Sequence, residues 1–181
     1  MFHVEQIKMD LKKEIREVPD YPKEGISFKD ITTLFKNKDA VQFVTSEIFE
    51  KFKEKGITKV LGLEARGFVF GGAVADRLDA GFVPVRKKGK LPCDTLQETY
   101  ELEYGLDSVE MHADALDQGD VVLIHDDLLA TGGTAMAALK LAQKCGVKQI
   151  YFSFICDLEF IDTPNKKTIK EYDPHILVKY N

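Results

Sequence analysis

An α/β fold, a mainly parallel twisted sheet flanked by helices, is predicted by three features of the chain. Short apolar runs recur near 59–63, 82–85, 121–125, 149–155 and 175–180, several of them without polar alternation, as strands buried on both faces read. Helix-forming stretches separate the middle runs, the spacing of βαβ units with right-handed crossovers. Twice the chain passes from an apolar run through a short polar turn containing glycine into a helix former, at 60–75 and again at 121–146. At 181 residues the chain suits one domain whose core stands without staples.

In order along the chain, Val4, Ile7, Leu11 and Ile15 recur at three- and four-residue spacings among Lys and Glu, predicting an amphipathic helix over 4–17. Pro19 to Gly25 breaks it into a loop. Ile26–Ile31 follows as a short strand, and on this evidence Phe28 reads as an ordinary buried aromatic. Asn37 or Asp39 can cap a helix running to Lys55 and ending at Gly56. Val60–Leu63 is a strand that gives way to Glu64-Ala65-Arg66-Gly67 before the next helix. Arg66 stands at that helix N-terminus, where a cation is unfavourable unless an anion arrives; a surface arginine is the plain alternative.

Phe82–Val85 leads into Arg86-Lys87-Lys88-Gly89-Lys90, four cations in five positions. Such a run is usually a solvated turn, yet it follows a strand end, the side on which open α/β sheets bind ligands. Residues 91–120 lack a helical apolar period and predict a hairpin or flap, with Val109-Glu110-Met111 as a returning edge. Gln149–Ile155 is a further strand, Asp157–Lys170 reads as a polar cover over the sheet edge, and 175–180 is the terminal strand. His3, His112 and His175 are isolated and read as surface or structural residues.

The segment 121–146 is the most informative. Val121–Ile124 is strand, Asp126 and Asp127 put two carboxylates where it should end, and Ala130-Thr131-Gly132-Gly133-Thr134 opens a helix that stops at Gly146. Glycines let backbone N–H groups turn inward, threonines add donors, and the helix N-terminus adds positive potential, so the turn suits a phosphate. The adjacent acids suit sugar hydroxyls. A phosphorylated ribose satisfies both halves; a capped βα turn with solvated acids is the bland reading.

Composition narrows the classes. The mix of 44% hydrophobic and 30% charged residues is that of a soluble globular protein. Three scattered cysteines without metal-ligand spacing favour a reducing, cytoplasmic setting, and no apolar run approaches membrane-spanning length. A net charge of −5 argues against a general nucleic-acid binder. It also means that a strongly anionic ligand needs local cations or a divalent metal.

The run His125-Asp126-Asp127-Leu128-Leu129-Ala130-Thr131-Gly132-Gly133-Thr134 resembles the phosphoribosyl pyrophosphate (PRPP) motif of type I phosphoribosyltransferases. Glu64-Ala65-Arg66-Gly67-Phe68, the hood stretch Tyr21-Pro22 to Asp30 and Leu102-Glu103-Tyr104-Gly105 resemble, in the same order, motifs of the family's adenine branch. The resemblance spans about positions 19–155. It implies one domain over 1–181, with a hood at 1–35 and a mobile flap at 91–118, that joins adenine to PRPP to give AMP and pyrophosphate. It also implies Mg²⁺ held mainly by substrate rather than directly by protein, and a homodimer.

By the same resemblance, Ala130, Thr131, Gly132, Gly133 and Thr134 would hold the 5′-phosphate, and Asp126 and Asp127 the ribose. Arg66, Arg86, Lys87 and Lys90 would hold pyrophosphate. Ile26, Ser27, Phe28, Lys29 and Leu128 would line the adenine pocket, Phe28 stacking on the base. Glu103 would be the catalytic acid/base, with Tyr104 beside it on the flap, and Glu64-Ala65 would be a cis peptide. Lys29, Cys93 and His125 depart from the family, which often has Arg and Gly at the first two positions and usually an aliphatic residue at the third. A 6-oxopurine transferase, for which Lys29 leaves some room, and a non-catalytic PRPP-binding regulator are the rival readings. A Rossmann protein would need a Gly-x-Gly-x-x-Gly turn that is absent.

Overall fold

The computed structural model describes residues 9–101 and 105–181. Its elements are α1 (Leu11–Glu14), β1 (Arg16–Val18), β2 (Phe28–Asp30), α2 (Thr32–Phe35), α3 (Lys38–Phe52), β3 (Lys59–Leu63), α4 (Gly67–Arg77), β4 (Gly81–Lys87), β5 (Thr95–Glu101), β6 (Leu106–His112), β7 (Val121–Leu129), α5 (Gly133–Lys144), β8 (Gln149–Leu158), α6 (Pro164–Lys170) and β9 (His175–Tyr180).

Seven strands form one sheet in the order β5-β6-β4-β3-β7-β8-β9. β4, β3, β7, β8 and β9 run parallel, and the β5–β6 hairpin joins antiparallel to β4. β3 and β7 lie centrally and read as continuous apolar runs because both faces are covered. Leu61, Ile124, Phe152 and Phe154 pack on one face with the alanine-rich side of α5. Val60, Leu123 and Ile155 pack on the other with α3 and α4. Asn37 caps α3 by accepting from the backbone N–H groups of Asp39 (3.0 Å) and Ala40 (3.3 Å), which meets the expectation at that position.

Four expectations need correction. The helix expected over 4–17 is, among the described residues, one turn of α1 followed by β1. Arg16–Val18 pairs antiparallel with Phe28–Asp30 instead, so strand pairing outcompetes a weak helical period while Leu11 and Ile15 still reach the core; Val4 and Ile7 lie outside the described residues. β7 does not end before the acids. It runs to Leu129, because β8 continues to Leu158 and keeps pairing with it through Leu129–Asp157, placing Asp126 and Asp127 inside the strand.

Val109–Met111 is no edge, since β6 lies between β5 and β4 and Val109, Glu110 and Met111 are buried. Nor is 157–170 merely a polar cover. Asp157 is fully buried and pairs with Lys166 (2.5 Å) and Lys170 (3.3 Å), which ties α6 to the sheet. Thr163 caps α6 and Pro164 occupies its first turn, a start signal present in the sequence that the polar reading passed over.

Candidate active site

Four chain segments converge where the parallel strands β3, β4 and β7 end. After β7, the backbone turns through Gly132 at φ +80° into α5. A side chain at Gly132 would press on the α6 backbone, 3.1 Å from the Lys166 nitrogen, and one at Gly133 would stand 2.8 Å from Cδ2 of Tyr100. Both glycines therefore serve close packing, α6 below the turn and the hairpin above it. Thr163 donates through Oγ1 to the Thr131 carbonyl (2.5 Å), so α6 braces the loop 130–134. Sequence reasoning missed this brace.

Asp126 and Asp127 stand beside this turn. The Asp127 N–H donates to Oδ1 of Asp126 (2.9 Å), and Asp127 pairs with Nε of Arg66 (3.0 Å). Burial raises the pKa of both carboxyls. The neighbouring Asp127 charge pushes Asp126 further, well above the usual carboxylate range, while Arg66 restrains Asp127. Arg66 thus has a carboxylate partner at the start of α4. Arg66 bridges outward too, its guanidinium carbon lying 5.3 Å from the centre of the Phe28 ring. The hood thus meets the sheet edge through Phe28, Arg66 and Asp127 in succession. Gly67 allows this approach, since a side chain there would lie 2.9 Å from the His125 carbonyl.

The turn after β4 is organised by a residue whose role sequence reasoning did not identify. Glu64, with a side chain only 9% exposed, pairs with Arg86 Nε (3.2 Å) and Lys90 Nζ (2.5 Å) and accepts from the Lys87 N–H (2.9 Å). Burial alone would raise its pKa, but the donation from Lys90, with that from Lys87 and Arg86, brings it down to about 2. Glu110 of β6 accepts from the N–H groups of Lys90 and Leu91, each at 2.9 Å. Two carboxylates thus fold the basic run into a compact turn. The Glu64-Ala65 peptide is cis, in keeping with the expectation. A carboxylate ending one strand opposite a basic run ending the next was the available signal.

A second cluster lies at the hairpin stem. Lys87 Nζ donates to Tyr100 Oη (2.6 Å) and to Asp107 Oδ2; Thr134 Oγ1 also donates to Tyr100 Oη (3.2 Å). Tyr100 therefore joins a loop expected to hold phosphate to a lysine expected to hold pyrophosphate. Glu103 and Tyr104 lie outside the described residues.

In the hood, Phe28 is half-buried and meets Tyr21 edge to face at 5.2 Å. Ile26 and Ser27 are exposed, and Leu128 and Ala130 are half-buried. Lys29 is buried. Its Nζ binds Glu17 (2.8 Å) and Ser27 Oγ (3.1 Å) and sits 4.6 Å from the centre of the Tyr180 ring. His125 is fully buried, with neither ring nitrogen in full hydrogen-bond geometry with a partner, and burial lowers its pKa to about 4 against an opposing interaction with the Ser153 backbone.

This arrangement has relatives. Residues 27–177 match the phosphoribosyl transferase domain. The adenine phosphoribosyltransferase of Phocaeicola vulgatus is 55% identical over 151 residues, 83% of this chain and 87% of that protein. Among solved structures, the adenine phosphoribosyltransferase of Rhodothermus marinus superposes with a TM-score of 0.86 at 47% identity, covering 94% of this chain and 96% of the other. That of Giardia lamblia, complexed with 9-deazaadenine, gives a TM-score of 0.87 at 36% identity, covering 96% and 99%. The chain belongs to the phosphoribosyl transferase family and, within it, to the adenine phosphoribosyltransferases.

Proposed function

We propose that the protein is a pentosyltransferase of purine salvage that joins adenine to PRPP, releasing AMP and pyrophosphate. The observation that carries this reading is the convergence at one sheet edge of the loop 130–134, the paired acids 126–127 and the cation-rich turn at 86–90, in a chain of this family. The loop takes the 5′-phosphate through backbone N–H groups and the hydroxyls of Thr131 and Thr134. Asp126 and Asp127 take the ribose hydroxyls, and Arg66, Arg86, Lys87 and Lys90 take pyrophosphate. Adenine enters under the hood between Phe28 and Leu128, its edge read by backbone of Ile26, Ser27 and Lys29.

During transfer, C1 of the ribose loses pyrophosphate, passes through an oxocarbenium-like state and is captured by N9 of the base. The chain holds three groups in line and offsets the departing charge. Glu103 accepts or relays the base proton, a contribution worth about 10²–10⁴-fold. Closure of the flap 91–118 keeps water from the cation.

Two adjacent carboxyls beside one arginine suit a cation that arrives with the substrate. Among the described residues no group of three or more His, Cys, Asp or Glu converges to hold a metal. As part of the same proposal, Mg²⁺ would be held mainly by substrate oxygens and water rather than directly by protein. When bound it offsets phosphate charge.

A 6-oxopurine asks for a side-chain donor, and Lys29, the candidate, is committed to Glu17 and Ser27. A homodimer and a cytoplasmic setting complete the proposal; no helix among the described residues is long and apolar enough to cross a membrane. AMP formation from adenine, PRPP and Mg²⁺, run beside guanine and hypoxanthine, tests the assignment. Turnover of a 6-oxopurine in preference to adenine would overturn it.

A further inference from the structure

Lys87 is shared between two claims. Its ammonium has three hydrogens; one goes to Tyr100 Oη and one to Asp107 Oδ2, and the side chain is 37% exposed. Asp107 stands opposite Tyr100 in the β5–β6 register, close to the hairpin tip. Its other oxygen accepts from the Ser108 N–H (2.7 Å), and Tyr100 donates its hydroxyl hydrogen to Oδ2 (3.1 Å). The contrast with Glu64 is instructive. Glu64, its side chain 9% exposed, binds the backbone of the turn as well as two cations, so it builds the turn. Asp107 is 30% exposed and, among the described residues, makes a single ion pair, to Lys87.

We propose that Asp107 sets the pyrophosphate affinity of this site by competing with the ligand for Lys87. The inference rests on the placement of pyrophosphate at Lys87 made above. A carboxylate in contact with the ammonium cancels part of its field and repels an arriving polyanion. Pyrophosphate must draw Lys87 from Asp107 to bind, and Asp107 reclaims the lysine as pyrophosphate leaves. The hairpin stem therefore carries a built-in release element, and product departure is faster than four unopposed cations would allow.

Asp107→Asn tests this, because the amide keeps an oxygen for Ser108 N–H and the shape of the stem while removing the charge. Binding of inorganic pyrophosphate with Mg²⁺ is measured by titration calorimetry on the full chain, with product inhibition by pyrophosphate as a second readout. Asp107→Asn is expected to bind pyrophosphate about fivefold more tightly, the factor that matches loss of one partly exposed ion pair, and to be inhibited by correspondingly less. The gain should vanish when Lys87→Met is added, and Tyr100→Phe, which leaves the Lys87–Asp107 pair intact, should show none.

A merely structural Asp107 gives the opposite sign: loosening the stem weakens binding. Equal or weaker affinity in Asp107→Asn, or a gain that survives Lys87→Met, overturns the inference. Should the Asn variant not fold, Asp107→Ser carries the same expectations. Absence of pyrophosphate binding in the wild type would instead overturn the reading of the basic turn on which the inference stands.

Discussion

His125 allows a prediction whose size follows from the structure. Its imidazole is fully buried on β7 with neither nitrogen in full hydrogen-bond geometry with a partner. Ser153 lies beside it on β8, and His175 follows on β9, in one register across three strands. Burial lowers the pKa of His125 from 6.5 to about 4, opposed by an interaction with the Ser153 backbone and helped by His175. The folded state therefore binds a proton less readily than the unfolded chain does. The sign follows: stability is whole above pH 6.5 and is lost as pH falls from there toward 4.

At pH 5 the penalty is about 2 kcal/mol, growing to about 3 kcal/mol below pH 4. For a chain of this length 2 kcal/mol corresponds to about 5 °C in Tm. His125→Leu removes the titration, and its stability at pH 7.5 absorbs any packing difference. The readout is the gap with and without His125, measured by thermal or urea unfolding at steps from pH 7.5 to 5 in a His175→Gln background, which removes the histidine charge that acts on His125; the carboxylates remain in both proteins and cancel. The protein without His125 should gain about 2 kcal/mol on its parent over that interval. Parallel pH–stability curves would show that His125 is not held neutral in the folded protein, and the burial argument would fail.

Other substitutions probe the site and its brace. Lys166→Met leaves Asp157 buried with only Lys170 to offset it and should cost about 3 kcal/mol in urea unfolding; because α6 supports Gly132, KM for PRPP should rise as well, and an unchanged urea midpoint would show the pair to be dispensable. Asp126→Asn together with Asp127→Asn should abolish ribose recognition, read as loss of PRPP binding in calorimetry; retained affinity would count against the assignment. Glu103→Leu should lower kcat about 10²-fold or more while PRPP still binds, and unchanged turnover would remove Glu103 from the mechanism.

The parallel core of the fold was legible because its strands are buried on both faces and announce themselves as apolar runs. Each of the five expected runs is a strand, and the helices expected after Asn37, Arg66 and Gly133 are present. Legibility failed where pairing partners decide the outcome. Nothing local in Arg16–Val18 says that Phe28–Asp30 will pair with it, and nothing in 126–129 says that β8 is long enough to keep β7 extended. The site was legible at glycines and charges whose spacing is local: 64–67, 86–90 and 126–134.

The residues that organise those charges were much less visible. Glu64, Asp107 and Glu110 act on cations from 20 to 26 positions away in the chain, and Asp157 reads as surface polar until α6 folds back over it. Such carboxylates cannot be told from solvated ones until the sheet brings their partners together.

The most direct measurement of the central claim is a crystal of the protein soaked with AMP. The account predicts the 5′-phosphate seated on the backbone of 130–134, the ribose hydroxyls on Asp126 and Asp127, and the base under Phe28. Nucleotide bound elsewhere, with that turn and those acids untouched, would contradict it.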